Sequence, residues 1–83
     1  MRVHLSPNVV RLIYELREDA GPLRAAIEGL RSDPTPQGSM ASPDQPGLYE
    51  THIRVGLRGF WLGWEVVQDR SEIVIRVMIV EEN

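Results

Sequence analysis

The hydrophobic pattern of this 83-residue chain changes its period across a segment rich in proline and glycine. Before residue 33, apolar residues recur every three or four positions, as in amphipathic helices; after residue 47 they alternate, as in strands. The segment 33–47 holds four prolines and two glycines. Because proline neither donates a backbone hydrogen bond nor continues a helix, we predict a long loop here. Helices followed by strands indicate an α+β domain.

The part of the chain before this loop predicts one strand and two helices. MRVHLS alternates as a short strand does, after which Ser6 and Pro7 have the residue types preferred at an N-cap and at the first helical position. Gly21, which tolerates positive φ, is predicted to end the first helix, and the second helix is predicted over residues 22–32. The two apolar stripes are Val9, Leu12, Ile13 and Leu16, and then Leu23, Ala26, Ile27 and Leu30. Together these helices predict a helical hairpin.

The part after the loop predicts three strands, LYETHIRV, FWLGWEVV and EIVIRVMIV, separated by the turns GLRG and QDRS. The resulting order, β-α-α-β-β-β, predicts a helical hairpin packed on one side of a four-stranded, mainly antiparallel sheet. The last strand is the most apolar, so we expect it to be central and buried on both faces. The whole chain, residues 1–83, is expected to form a single domain around one modest core.

The two tryptophans lie three residues apart, so in a strand they must point to opposite faces. Trp64 shares its face with the apolar residues Phe60, Leu62 and Val66, and is therefore predicted to lie in the core beneath the helices. Trp61 is predicted on the outer face. Three interpretations remain open there: cover by segment 33–47 or by the C-terminal residues, a protein interface, and stacking on a nucleobase.

Composition excludes several classes of function. The net charge of −3 disfavours tight nucleic-acid binding, which usually needs a basic surface. The absence of cysteine excludes disulfides and thiolate metal sites. His4 and His52 are the only histidines and have no carboxylates at ligand spacing, so we expect neither a metal nor a cofactor. No apolar run is long enough to span a membrane and the first residues lack a signal-peptide pattern, so a cytoplasmic protein is expected.

Several short motifs occur in an order that resembles the RelE/ParE superfamily of bacterial toxin-antitoxin toxins. The opening strand leads into SP, and the second helix ends in L..DP.P, formed by Leu30, Asp33, Pro34 and Pro36. GLYETHIRVG is similar to the family pattern gLyrlRvG, and GFWLGWEV stands in the place of YRviYeV. The resemblance covers nearly the whole chain. It implies the family fold, in agreement with the element order read from the residues.

The chain departs from this family where ribosome-dependent members bind and cleave mRNA. The resemblance places the basic residues of the second strand at Glu50 and His52, with Arg54 as the one cation beyond them, and it places the arginine of YRviYeV at Trp61. The family's C-terminal tail has no counterpart, because the sequence ends in EEN. Stabilising the charge on a transferring phosphate requires nearby cations, which glutamate and indole do not supply.

His52 and Arg54 remain the catalytic candidates, since histidine can act as a general acid or base. Arg58 is a further candidate phosphate contact, although Glu50 and Glu65 would oppose an anionic ligand. We expect a binding surface formed by Glu50, Arg58, Trp61 and Glu65.

The resemblance implies a toxin that acts by binding a target, as members that poison DNA gyrase do, and not by nuclease chemistry. If it were an enzyme, it would be a ribosome-dependent mRNA endoribonuclease. The alternative is a non-enzymatic interaction domain or dimer that retains the fold and has lost toxin activity. The implied partners are a cognate antitoxin or a second copy of the chain, with the ribosome and its mRNA or DNA gyrase as targets.

Overall fold

The structure is a computed structural model that describes residues 1–69 and 71–82. Arg70, in the predicted turn QDRS, and Asn83, the last residue of EEN, lie outside the described residues. The helical elements are α1 (Pro7–Leu16), a 3₁₀ turn (Arg17–Ala20) and α2 (Gly21–Gly29). The strands are β1 (Arg2–Leu5), β2 (Met40–Ala41), β3 (Leu48–Val55), β4 (Arg58–Asp69) and β5 (Glu72–Glu82). The predicted α+β class is confirmed.

The sheet has the strand order β1-β5-β4-β3-β2 within the described part of the chain. β1 runs parallel to β5, and the other three pairings are antiparallel. The prediction of four strands is wrong, because Met40 and Ala41, inside the predicted loop, pair with Glu50 and Tyr49. Neither residue is a proline, so both keep the backbone donor that pairing needs. The flanking Gly38 and Pro43 keep this edge strand short.

The chain reverses between the helices at Arg17 and not at Gly21. Arg17 has the positive φ of 52°, whereas Gly21 is helical with φ −48° and ψ −52°. The backbone N–H of Arg17 donates to the carbonyl of Ile13 and so ends α1. The earlier break starts a 3₁₀ turn whose Ala20 is fully buried, beside the buried Leu16 at the end of α1. α2 likewise ends at Gly29, three residues before the predicted end.

The core lies between the helices and one face of the sheet. α1 packs against β5 and α2 packs against β3. Trp64 and Phe60 have 0% exposure at the centre of this core. The stripe positions that are buried are Val9, Leu12, Leu16, Leu23, Ile27 and Leu30, with Ile13 and Ala26 partly buried against them. The predicted position of Trp64 beneath the helices is therefore confirmed.

Segment 33–47 is attached to the helix-facing side of the sheet. The indole N–H of Trp64 donates to the Pro34 carbonyl at 2.8 Å, which pairs the one polar atom of this buried side chain. At the other end, the Gly47 carbonyl accepts from the Val66 N–H at 2.8 Å. Gly47 has φ 86°, and an added Cβ would lie 3.2 Å from the Val66 carbonyl oxygen. Glycine is therefore required where the segment joins β3.

The position of β5 is predicted correctly, but its burial is not. β5 is central, between β1 and β4. On the helix-facing side Ile75, Val77 and Ile79 are buried, whereas on the other side Val74 is buried but Arg76 and Met78 are exposed. The prediction that β5 is buried on both faces is wrong, because both helices lie on the same side of the sheet. This leaves the opposite side partly open.

Candidate interaction surface

The side of the sheet that faces away from the helices is called the outer face here. Its composition follows from strand alternation and from the register of each pairing. Its described residues are Arg2, His4, Met40, Leu48, Glu50, His52, Arg54, Gly59, Trp61, Gly63, Glu65, Val67, Glu72, Val74, Arg76 and Met78. These residues form rows across the strands, so neighbours within a row have adjacent side chains.

Trp61 lies on the outer face, as predicted, and is partly exposed. It is paired across the strands with His52, and the two rings meet edge to face with centroids 5.1 Å apart and planes at 64°. This cross-strand aromatic contact holds the indole in a defined position. Trp64, by contrast, stacks on Tyr49 on the helix-facing side with centroids 6.2 Å apart. The prediction that the two tryptophans occupy opposite faces is confirmed.

A notch lies beside Trp61 at Gly63, which has no side chain. Gly63 is paired with Glu50 on β3 and with Met78 on β5. A Cβ added at Gly63 would meet only backbone oxygens, at 3.7 Å and 3.8 Å, which is ordinary van der Waals contact. Its φ is not positive either. Since glycine in a strand interior costs about 0.5–1 kcal/mol relative to alanine, the notch is a feature that the fold does not require.

The charges next to the notch differ between the two halves of the outer face. Glu50 and Glu65 flank the notch on β3 and β4, and diagonal neighbours of this kind lie roughly 7–8 Å apart. Arg76 on β5 is the cross-strand neighbour of Glu65 on one side and of His4 on the other. We call β3 and β4 the acidic half and β5 and β1 the basic half after these residues, although Arg54 on β3 and Glu72 on β5 carry the opposite charge.

The basic half contains an open groove of roughly 790 Å³ that reaches from β1 to β4. Arg2 lies at one side, where its guanidinium is 3.2 Å from Nε2 of His4 and 3.4 Å from the carboxylate of Glu72. Arg76 and Met78 also line the groove. Within the described residues no group of histidine, aspartate and glutamate side chains is placed to hold a metal ion.

The sequence-predicted site residues do not all share a face. Glu50, His52, Arg54, Trp61 and Glu65 lie together on the outer face. Arg58 was predicted to lie in a four-residue turn, but Gly56 and Leu57 alone form the turn, because Arg58 already pairs with Val55.

Arg58 consequently projects to the helix-facing side, with its guanidinium carbon 5.0 Å from the centre of the Phe60 ring. Arg58, a candidate phosphate contact, therefore lies on the opposite side of the sheet from His52 and Arg54. No convergent set of cations forms around the pair, as judged from the residues that the structure describes.

The basic half of the outer face was missed by sequence reasoning. The alternation of β1 and β5 is visible in the sequence and assigns Arg2, His4, Arg76 and Met78 to one side of each strand. Bringing them together requires the parallel pairing of β1 with β5, which sets His4 against Arg76. That pairing joins the two ends of the chain, and alternation carries no information about which strand a distant segment joins.

Comparison with known protein families, with curated proteins and with solved structures finds no match for this chain. Neither α-helix in the described part of the chain is long and apolar enough to cross a membrane.

Proposed function

We propose that this chain is a RelE/ParE-like protein of toxin-antitoxin origin that acts by binding another protein through its outer face and does not cleave RNA. The observation that carries the proposal is the centre of that face, where Trp61 and the notch at Gly63 are flanked by Glu50 and Glu65. Ribonuclease members of the family, which the motifs resemble, hold basic residues in this region.

The order of elements supports the family resemblance. When β2 is counted as part of segment 33–47, the chain runs β-α-α-β-β-β with both helices on one side of the sheet. The motif L..DP.P leads into the carbonyl of Pro34, which accepts the hydrogen bond from Trp64. One motif of the resemblance thus contributes a core contact.

The charges around the catalytic candidates oppose an RNA ligand. His52 and Arg54 lie on β3 next to Glu50, and the indole of Trp61 is their neighbour on β4. An RNA phosphate brought to His52 would therefore approach a carboxylate, at a site where developing negative charge needs cations. Tryptophan at a protein interface commonly contributes about 2 kcal/mol or more, so the same arrangement suits a protein partner. The family resemblance implies an antitoxin or DNA gyrase as candidates.

The proposal is tested by expressing the chain in a bacterium and measuring growth together with cleavage of mRNA. We expect growth arrest with mRNA left intact. The arrest should persist in the double variant His52→Ala/Arg54→Ala and be lost in Gly63→Leu, which fills the notch without straining the backbone. Leu57→Ala is the matched control, because Leu57 is 98% exposed in the hairpin turn and lies away from the outer face.

Cleaved mRNA that disappears in the His52→Ala/Arg54→Ala variant would contradict the proposal and make the chain a ribosome-dependent endoribonuclease. Unimpaired growth, with the folded chain bound to a partner, would favour the second candidate, a non-toxic interaction domain. The observation that favours this second candidate is the pair of opposite charges at the centre of the outer face, Glu65 beside Arg76, which suits a protein partner without requiring toxicity.

A further inference from the structure

The geometry points to a second copy of this chain as a partner of the outer face. The inference rests on the proposed function, since it names an occupant of the same protein-binding surface. A symmetric dimer needs a surface that is complementary to itself. The outer face meets this condition along β4 and β5, where Glu65 lies beside Arg76 and Gly63 lies beside Met78.

The complementarity follows from the register of β4 and β5. In the dimer the outer faces of the two copies meet, and the twofold axis lies between the two sheets. The axis runs parallel to the strands and passes midway between β4 and β5. It therefore places β5 of one copy over β4 of the other. Each outer-face residue of β4 and β5 then meets the residue that is already its cross-strand neighbour on the other of these two strands. Arg76 is the neighbour of Glu65, so Arg76 of each copy lies over Glu65 of the other. Both resulting contacts join opposite charges.

The same axis matches the shapes of the two surfaces. Met78, which is 44% exposed, is the cross-strand neighbour of Gly63. In the dimer Met78 of one copy therefore fills the notch of the other, and this happens twice. Val67, which is partly exposed beside the buried Val74, adds apolar surface in a further row. Methionine is unbranched and flexible, so it adapts to a notch of this kind.

The contact between the two copies extends to β1 and β3, the strands on either side of β5 and β4. β1 of one copy comes over β3 of the other, which brings His4 over Leu48, the neighbour of Glu50 on the same face of β3. Two sheets that pack face to face keep their strands within about 30° of each other, so the central rows keep their partners despite the twist of each sheet. A small domain without disulfides also gains stability from burying this face.

The test is self-association measured by sedimentation for the whole chain and for two charge-reversed variants, Glu65→Arg and Arg76→Glu. Each single variant places like charges opposite one another, so we expect self-association to weaken by at least about tenfold. Mixing the two variants in equal amounts restores both attractive contacts, and the mixture is expected to dimerise as the unmodified chain does. An effect confined to one molecule cannot be repaired by mixing.

Gly63→Leu provides a second test that changes no charge. It is expected to keep the fold, because a Cβ at this position meets only ordinary contacts and φ is not positive, and to abolish the dimer by filling the notch. Met40→Ala is the control: Met40 is exposed on the same face, but its edge strand lies outside the overlap.

Three results would overturn the dimer: an unmodified chain that stays monomeric at all concentrations, variants that dimerise undiminished, or a mixture that stays monomeric. None of these bears on the proposed function, which is judged by growth arrest and intact mRNA. Conversely, mRNA cleavage that depends on His52 would remove the proposed function and leave the sedimentation result standing.

Discussion

The two tryptophans of this chain show how differently one residue type is used on the two faces of a sheet. Trp64 has no exposed surface, stacks on Tyr49 and donates its N–H to the Pro34 carbonyl. Trp61, three residues earlier on the same strand, is partly exposed and meets His52 edge to face. The first is held on every side by the fold. Trp61 contacts His52 and keeps part of its surface exposed to solvent.

The two glycines near β4 repeat this contrast. Gly47, on the connection into β3, has positive φ and a close backbone oxygen, so the fold requires glycine there. Gly63, in the interior of β4, has neither constraint. Residues that the fold does not need are the ones in which function is to be sought, and Trp61 and Gly63 are adjacent on the outer face.

The largest expected difference lies between the tryptophans themselves. Trp64→Ala leaves a cavity in the core and removes the hydrogen bond to Pro34, so it should lower the free energy of unfolding by about 3–5 kcal/mol. Trp61→Ala should lower it by less than about 1 kcal/mol, since the side chain is only partly buried. Urea unfolding followed by circular dichroism measures both. Equal losses in the two variants would show that the faces are assigned wrongly.

The next largest difference lies at the join between segment 33–47 and β3. Gly47→Ala places a Cβ 3.2 Å from the Val66 carbonyl oxygen at a positive φ, and should lower the free energy of unfolding by about 1–3 kcal/mol. The cause is local, so amide exchange of the Val66 N–H, which donates to the Gly47 carbonyl, should accelerate as well. An unchanged unfolding midpoint together with a protected Val66 amide would show that the backbone accepts a side chain there.

The smallest expected change in the free energy of unfolding is at Gly63. Gly63→Ala should leave the free energy of unfolding unchanged or raise it by about 0.5 kcal/mol, because it reduces the freedom of the unfolded chain and meets only ordinary contacts. Measured in the same urea series, a loss of more than about 1 kcal/mol would mean that Gly63 serves the fold and not a partner.

Alternation along β3 and β4 was sufficient to predict which residues share a face, including Trp61 and Trp64, because a strand repeats every two residues whatever surrounds it. Local backbone geometry was harder to predict. Gly21 was the obvious place for a helix to end, yet the chain reverses at Arg17, where Leu16 and Ala20 can both be buried.

Pairings between distant segments could not be predicted from alternation. The strand formed by Met40 and Ala41 depends on β3 offering a free edge, and the neighbours of Arg76 depend on β1 joining β5. The acidic part of the candidate surface was therefore visible in the sequence. The open space at Gly63 beside Trp61 was visible as well, whereas the basic half and the position of Met78 next to Gly63 were not.

The most direct test of this account is the accessibility of each indole, measured by acrylamide quenching of fluorescence in dilute protein. Trp64→Phe leaves Trp61 as the only indole, and Trp61→Phe leaves Trp64. Provided that both variants remain folded, we expect strong quenching of Trp61 in Trp64→Phe and weak quenching of Trp64 in Trp61→Phe. Strong quenching of Trp64 with protection of Trp61 would contradict it, because the helices would then cover the face assigned here to a partner.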